Sequence, residues 1–182
     1  MTVKDHYDKH LGNFYSWMSG DFEEAQKMQE SFFRDNKITP FSTGIALDLG
    51  CGHGLQSISL AKRGFSVKAV DFNAQLLLEL KQRSSNFDVA VIQNDILPFL
   101  GHFSKSADLV VCMGDTLTHL ESLVDVETVI QNSACLLIAK EKIIISFRDL
   151  THELKEEQRF ISVRSDEGKI LTASWNTTKI VF

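Results

Sequence analysis

The chain is predicted to fold as an α/β protein with a mostly parallel central sheet, helices on both faces and a C-terminal antiparallel hairpin. Three observations predict it. From 45 to 147, short apolar runs alternate with helical patterns, the signature of βαβ units. The run Ala46-Leu47-Asp48-Leu49 passes directly into Gly50-Cys51-Gly52-His53-Gly54, with three glycines at alternate positions. A second acid, Asp71, closes the next apolar run, Val67-Lys68-Ala69-Val70.

The elements follow in order. Asp21-Phe22-Glu23-Glu24 opens a helix, with Asp21 as cap and Glu24 at the capping-box position. Phe22, Ala25, Met28, Phe32 and Phe33 then recur at helical spacing. Thr39-Pro40 ends this helix, because proline cannot continue the hydrogen-bond ladder. Ile45–Leu49 is the first buried strand. Residues 55–63 form a helix that Gly64 stops. Residues 67–70 form a second strand. Asn73 caps a helix over Ala74–Arg83, whose leucines share one side. Val89–Gln93 is a third strand and 109–113 a fourth. A helix is predicted over 123–139 and a fifth strand over 142–147. After Asp149 the pattern changes. A charged segment, 154–158, reads as a short helix, and 159–164 with 169–175 read as a hairpin around Ser165-Asp166-Glu167-Gly168. The division is an N-terminal helical lid over 1–40 and a core over 41–182, a single domain with its C-terminus curtailed.

A formal net charge of -5 with 43% hydrophobic residues is ordinary for a globular chain. The acidic balance speaks against a nucleic-acid partner, since phosphate binding needs a basic patch. Cys51, Cys112 and Cys135 are odd in number and show no metal-ligand spacing, so a reducing cytoplasm and no metal are expected. Cys112 lies in an apolar run and reads as a buried thiol. The first residues lack the apolar core of a signal peptide. The longest apolar region, 133–147, is cut by Lys140-Glu141-Lys142 and is too short for a membrane span. A small-molecule substrate is the partner expected; the oligomeric state is not encoded.

In a parallel sheet, ligands sit beyond the carboxyl ends of the strands. That rule places 48–54, Asp71, Asp95 and 114–119 along one edge. A dinucleotide site needs GxGxxG, its third glycine set for helix packing. Here the third glycine comes one residue early, and position 55 is Leu. Asp48, at the strand end, disfavours a pyrophosphate and suits a ligand with a cationic amine and sulfonium. Asp71, about twenty residues on, can accept hydrogen bonds from both ribose hydroxyls. The glycines let the backbone approach the ligand closely.

On these residues the chain resembles the class I S-adenosylmethionine-dependent methyltransferases over about 5 to 150. The resemblance implies a Rossmann-like methyltransferase sandwich. It implies S-adenosylmethionine as methyl donor, S-adenosylhomocysteine as product, and contacts from Asp48, Gly50, Cys51, Gly52, Gly54 and Asp71. Phe72 is then placed beside the adenine, and Asn94-Asp95-Ile96 resembles the adenine-edge motif, bringing in Asp95 and Ile96. Asp108-Leu109-Val110-Val111-Cys112-Met113-Gly114 matches the fourth-strand motif and brings in Met113. A closer resemblance is to glycine and sarcosine N-methyltransferases. It rests on Tyr15-Ser16-Trp17-Met18-Ser19-Gly20-Asp21, on Met113-Gly114-Asp115-Thr116-Leu117-Thr118-His119-Leu120, and on Arg148-Asp149-Leu150. That resemblance implies that Arg148 binds a substrate carboxylate. Asp115 stands where those enzymes have asparagine, and the usual Pro-Gly-Gly turn before the fifth strand is absent. Substrate identity therefore does not transfer.

Methyl transfer from a sulfonium is an in-line displacement from an activated donor. The protein's task is to hold nucleophile and methyl in line, worth roughly 7–11 kcal/mol. An amine nucleophile must be neutral, so a nearby base helps. His119 is the candidate base and Asp115 the candidate amine-orienting group. His119 also reads as a cap or core histidine, and Asp115 as a helix cap. Arg148 reads equally as a salt-bridge residue at the sheet edge. Tyr7, Tyr15, Trp17 and Met18 read as a lid over the donor, with a cation–π rationale, or as packing for the first helix. Tyr7 and Tyr15 are placed at the acceptor and Trp17 at the donor. The activity expected is methyl transfer to a small polar acceptor, an amine or amino acid. The rivals are a methyltransferase of protein or nucleic acid, and a non-catalytic donor-binding protein.

Overall fold

The computed structural model describes residues 12–147, 160–168 and 170–174. Two helices, α1 (Gly12–Met18) and α2 (Phe22–Asp35), precede the sheet. Asp21 caps α2, its carboxylate accepting from the N–H groups of Glu23 and Glu24 at 2.8 and 3.1 Å. The helix stops at Asp35, ahead of the predicted Thr39-Pro40 stop. Lys37 there takes a left-handed φ of 56° and turns the chain.

Then come β1 (Ile45–Leu49), α3 (Leu55–Lys62), β2 (Ser66–Asp71), α4 (Ala74–Arg83), β3 (Val89–Gln93), α5 (Ile96–His102), β4 (Ala107–Cys112), α6 (Leu123–Leu136) and β5 (Leu137–Ile145). The five strands are parallel, in the order β3-β2-β1-β4-β5. The α5 helix was not predicted. Asp95 caps it, and Ile96, Phe99 and Leu100 bury its inner face. Pro98 falls in its first turn, where a missing N–H costs little. The predicted 123–139 helix ends at Leu136, and β5 begins five residues before the expected position. An apolar run of this length carries no period that separates helix from strand. Its pairing with β4 slips between Ala107↔Leu137 and Leu109↔Lys142, so residues 138–141, with the charged pair Lys140-Glu141, form an irregularity inside the strand and Lys142 is back in register.

Strand alternation sends side chains to two cores. On one face Ala46, Val67, Ala69, Leu109 and Val111 meet Phe33 of α2, Ile58 of α3 and Leu77 and Leu80 of α4. On the other, Leu47, Leu49, Val70, Val110 and Cys112 meet Phe99 of α5 and Val129 of α6. Helices thus cover both faces, as predicted.

The strands β6 (Phe160–Ser165) and β7 (Ile170–Ser174) pair antiparallel as a separate two-stranded sheet. The predicted hairpin is present, outside the central sheet. Residues 148–159, which include the expected short helix and Arg148, lie outside the described residues, as does Tyr7.

At the amino edge, Asp108 accepts from the N–H groups of Phe41, Ser42, Thr43 and Gly44 and from the Thr43 hydroxyl, at 2.8 to 2.9 Å. Burial alone would raise its pKa. The donors more than offset that and hold it well below the usual carboxylate range. This clamp fixes the approach to β1 at the end of the sheet opposite the glycine loop.

Candidate active site

The strand order reverses at β1 and β4, so the loops leaving them part to opposite sides and leave a crevice at the carboxyl edge. The 50–54 loop begins there. Gly50 and Cys51 both donate to the Val70 carbonyl, at 2.8 and 3.0 Å, which seats the loop on β2. Gly50, Gly52 and Gly54 take φ values of 72°, 52° and 97°, which a β-carbon strains. Two of them also lack room for one. A Cβ at Gly50 would stand 2.3 Å from the Thr116 side chain, and one at Gly54 2.2 Å from Leu80.

Asp71 ends β2 with one carboxylate oxygen on Gly52 N–H at 2.9 Å and the other on Asn73 N–H at 2.8 Å. Its pKa is raised by burial, against the pull of the Asn73, Gly52 and Phe72 N–H groups. Three N–H donors on about four lone-pair sites leave the carboxylate one fixed acceptor position for a diol.

Asp48 sits elsewhere than its expected role requires. Alternation in β1 turns it under the loop onto α3, where it is 1% exposed and accepts from Ser57 Oγ at 2.6 Å. Burial raises its pKa to about 7. A direct bond from Asp48 to a ligand cation is not available in this arrangement; Asp48 instead anchors the start of α3 beneath the glycines. Cys51 is equally buried. Burial, with Asp48 and Asp71 nearby, pushes its thiol well up, so it stays protonated.

The fourth-strand loop forms the opposing wall. Gly114 N–H donates to Ser146 Oγ at 2.9 Å, tying the loop to the end of β5. A 3₁₀ turn over Thr116–His119 follows. Asp115 stands at its start with a half-buried side chain that makes no cap, so the capping alternative for its carboxylate does not hold. His119 ends the turn exposed, which removes the reading of it as a core histidine. Thr116, a residue that motif reading passed over, joins the two loops. Its hydroxyl donates to Gly50 O at 3.4 Å and to Met113 O at 3.2 Å. Met113 packs against the first core, its sulfur 3.8 Å from Gln29 Nε2.

Asp95 accepts from Leu97 N–H at 3.2 Å as the α5 cap, with its side chain exposed at the β3 end. The Ile96 side chain packs in the second core and is 9% exposed. Phe72 is half-buried between Asp71 and Asn73.

The α1 helix crosses this edge. Tyr15 lies on the glycine loop, where a Cβ at Gly52 would be 3.8 Å from its ring. Its pKa is raised by burial and then by the charges of Asp71 and Asp115, so the phenol lies within the field of both acids. His53 receives α1 and the turn after it. Its ring meets Tyr15 and Phe22 edge-on at 5.3 and 5.1 Å, and its Nε2 is 3.0 Å from Ser19 Oγ. Burial, with Arg83 beside it, lowers the His53 pKa to about 4. Ser16 donates to Glu79 of α4. Trp17 donates its indole N–H to Asp166 at 2.5 Å, which ties α1 to the β6–β7 turn.

Among the described residues no group of three or more His, Cys, Asp or Glu is placed to hold a metal ion. No helix there is long and apolar enough to cross a membrane.

A family model described as a methyltransferase domain matches residues 46–138. The Bacillus subtilis (strain 168) protein YqeM, a methyltransferase by name, is 37% identical over 84 residues, 46% of this chain and 34% of YqeM. The glycine/sarcosine N-methyltransferase of Aphanothece halophytica is 26% identical over 122 residues, 65% of this chain and 46% of that protein. The chain thus matches between a third and a half of the length of these curated relatives. In fold it is similar to the magnesium protoporphyrin IX methyltransferase ChlM from Synechocystis PCC 6803, crystallised with bound SAM. The TM-score is 0.62 at 19% identity, covering 93% of this chain and 91% of that one.

Proposed function

The chain belongs to the methyltransferase-domain family, and from that premise we propose that it transfers the methyl group of S-adenosylmethionine to a small polar acceptor, an amine or amino acid. The observation that carries this reading is Asp71. Its carboxylate is fixed by Gly52 and Asn73 N–H at the crevice edge, beside a left-handed glycine loop.

The residues fit the donor. Asp71 presents its remaining acceptor position to a ribose diol, and Gly52 lets the backbone come close. Phe72 and the exposed Asp95 stand at the adenine end. The bound donor supplies an activated sulfonium methyl. The chain supplies position: the Gly50–Thr116 contact fixes the donor loop against the turn that carries Asp115 and His119. Asp115 orients the acceptor amine and His119 takes its proton. Tyr15, within the field of Asp71 and Asp115, closes the crevice from α1 and excludes water. Arg148, three residues beyond Ile145 in the sequence, is assigned to an acceptor carboxylate.

Calorimetry tests the reading. S-adenosylmethionine and S-adenosylhomocysteine should bind saturably, and Asp71→Ala should weaken both at least tenfold, about 1.4 kcal/mol. Folded parent protein giving no heat with either ligand would overturn it. The acceptor is then found by a screen scored on S-adenosylhomocysteine release.

A further inference from the structure

The C-terminal hairpin pairs with itself and not with the central sheet, yet it grips α1. Trp17 donates its indole N–H to Asp166 at 2.5 Å. The Arg164 guanidinium donates to the Trp17 carbonyl and stands 5.4 Å from the centre of the Trp17 ring. The carbonyl bond falls on the last turn of α1, where the same carbonyl accepts from Gly20 N–H at 3.4 Å and a cation is favoured. The guanidinium also reaches Gly20, with Arg164 Nη1 at ordinary contact distance, 3.9 Å, from where a Cβ would stand.

α1 also bonds the core. Ser16 reaches Glu79, Ser19 beyond the helix reaches His53, and Tyr15 lies on Gly52. A seven-residue helix is too short to persist on its own propensity, so its position depends on what flanks it. The core flanks one side and the hairpin the other.

We propose that the β6–β7 hairpin is a strap that holds α1 shut over the donor crevice, with Arg164 as its positioning residue. The proposal rests on the donor-binding reading above and adds to it that ligand escape requires the strap to release Trp17. Arg164 acts through the α1 end and touches no ligand. The guanidinium bonds the carbonyl and faces the ring at once. A lysine can do the first without the planar stacking of the second, so it restores only part of the effect.

The test has two arms on the full chain. Dissociation of S-adenosylhomocysteine is followed by stopped-flow dilution for the parent, Arg164→Ala, Arg164→Lys and Asp166→Ala. The strap requires at least a tenfold faster off-rate in Arg164→Ala, an intermediate rate in Arg164→Lys, and an unchanged thermal midpoint. An Arg164→Ala off-rate within twofold of the parent overturns it. The second arm needs no ligand. Amide exchange of 12–18 should accelerate in Arg164→Ala and Asp166→Ala, while amides of the buried β1 stretch 46–49 stay as protected as in the parent. Unchanged exchange at 12–18 overturns the strap. Parent protein that fails to bind S-adenosylhomocysteine overturns the donor reading instead, and the exchange arm then decides the strap alone.

Discussion

At the scale of single residues, the site is organised by acids that differ in surroundings more than in type. Asp108 has five donors and stays ionised; Asp48 is held by Ser57, through its hydroxyl and its N–H, and burial raises its pKa to about 7. For Asp48 the sign follows from linkage. Its folded pKa, about 7, lies above the ordinary unfolded value near 4. Its contribution to stability is therefore full below about pH 4 and is lost as pH rises through 7. Asp48→Asn keeps an acceptor for Ser57 and cannot ionise. In urea titrations at pH 5 and pH 8, the variant should gain roughly 2 kcal/mol on the parent between the two conditions. A parent–variant difference that does not move with pH would show that Asp48 titrates like an ordinary carboxylate. The place of Asp48 at a strand end was legible in the sequence. Its partner was not, because Ser57 meets it only once the direction of α3 is known.

At the scale of elements, the glycine loop is a fitted joint between β1, α4 and the 3₁₀ turn. Gly54 opens α3 at φ 97° with Leu80 directly above it. Gly54→Ala combines left-handed strain with overlap on a buried side chain and should cost about 2–4 kcal/mol, measured by chemical denaturation. A loss under 0.5 kcal/mol would mean that Leu80 and the turn yield freely. The loop's glycines were readable because alternate glycines after an apolar run have few other uses. The joint with Thr116 was not, since it links residues from two crossovers. The α5 helix was missed for a different reason. A seven-residue helix gives too short a periodic pattern, although Asp95 followed by Pro98 is itself a start signal. The early start of β5 was hidden by its charged middle, which breaks the look of a strand without breaking the strand.

At the scale of the whole molecule, the alternation of strand and helix conveyed the parallel sheet, and the carboxyl-edge rule gathered 50–54, Asp71 and 114–119 correctly. The link between the two ends of the chain, Trp17 with Arg164 and Asp166, left no trace in either segment alone. Such contacts have no period and no spacing; only packing creates them. The strand order has a consequence in time as well. β1 meets β2 through the short α3 crossover, Ile45 beside Ser66, but meets β4 only after β2, α4, β3 and α5 have been laid down, Ala46 beside Leu109. Closing the longer loop costs more entropy before any contact repays it, and parallel pairing is slow for that reason. The Asp71 half of the crevice should therefore assemble before the half that carries Asp115. Pulse-labelled exchange during refolding should protect β1 and β2 amides ahead of β4. Simultaneous protection of all three would instead mean that the two halves are born together.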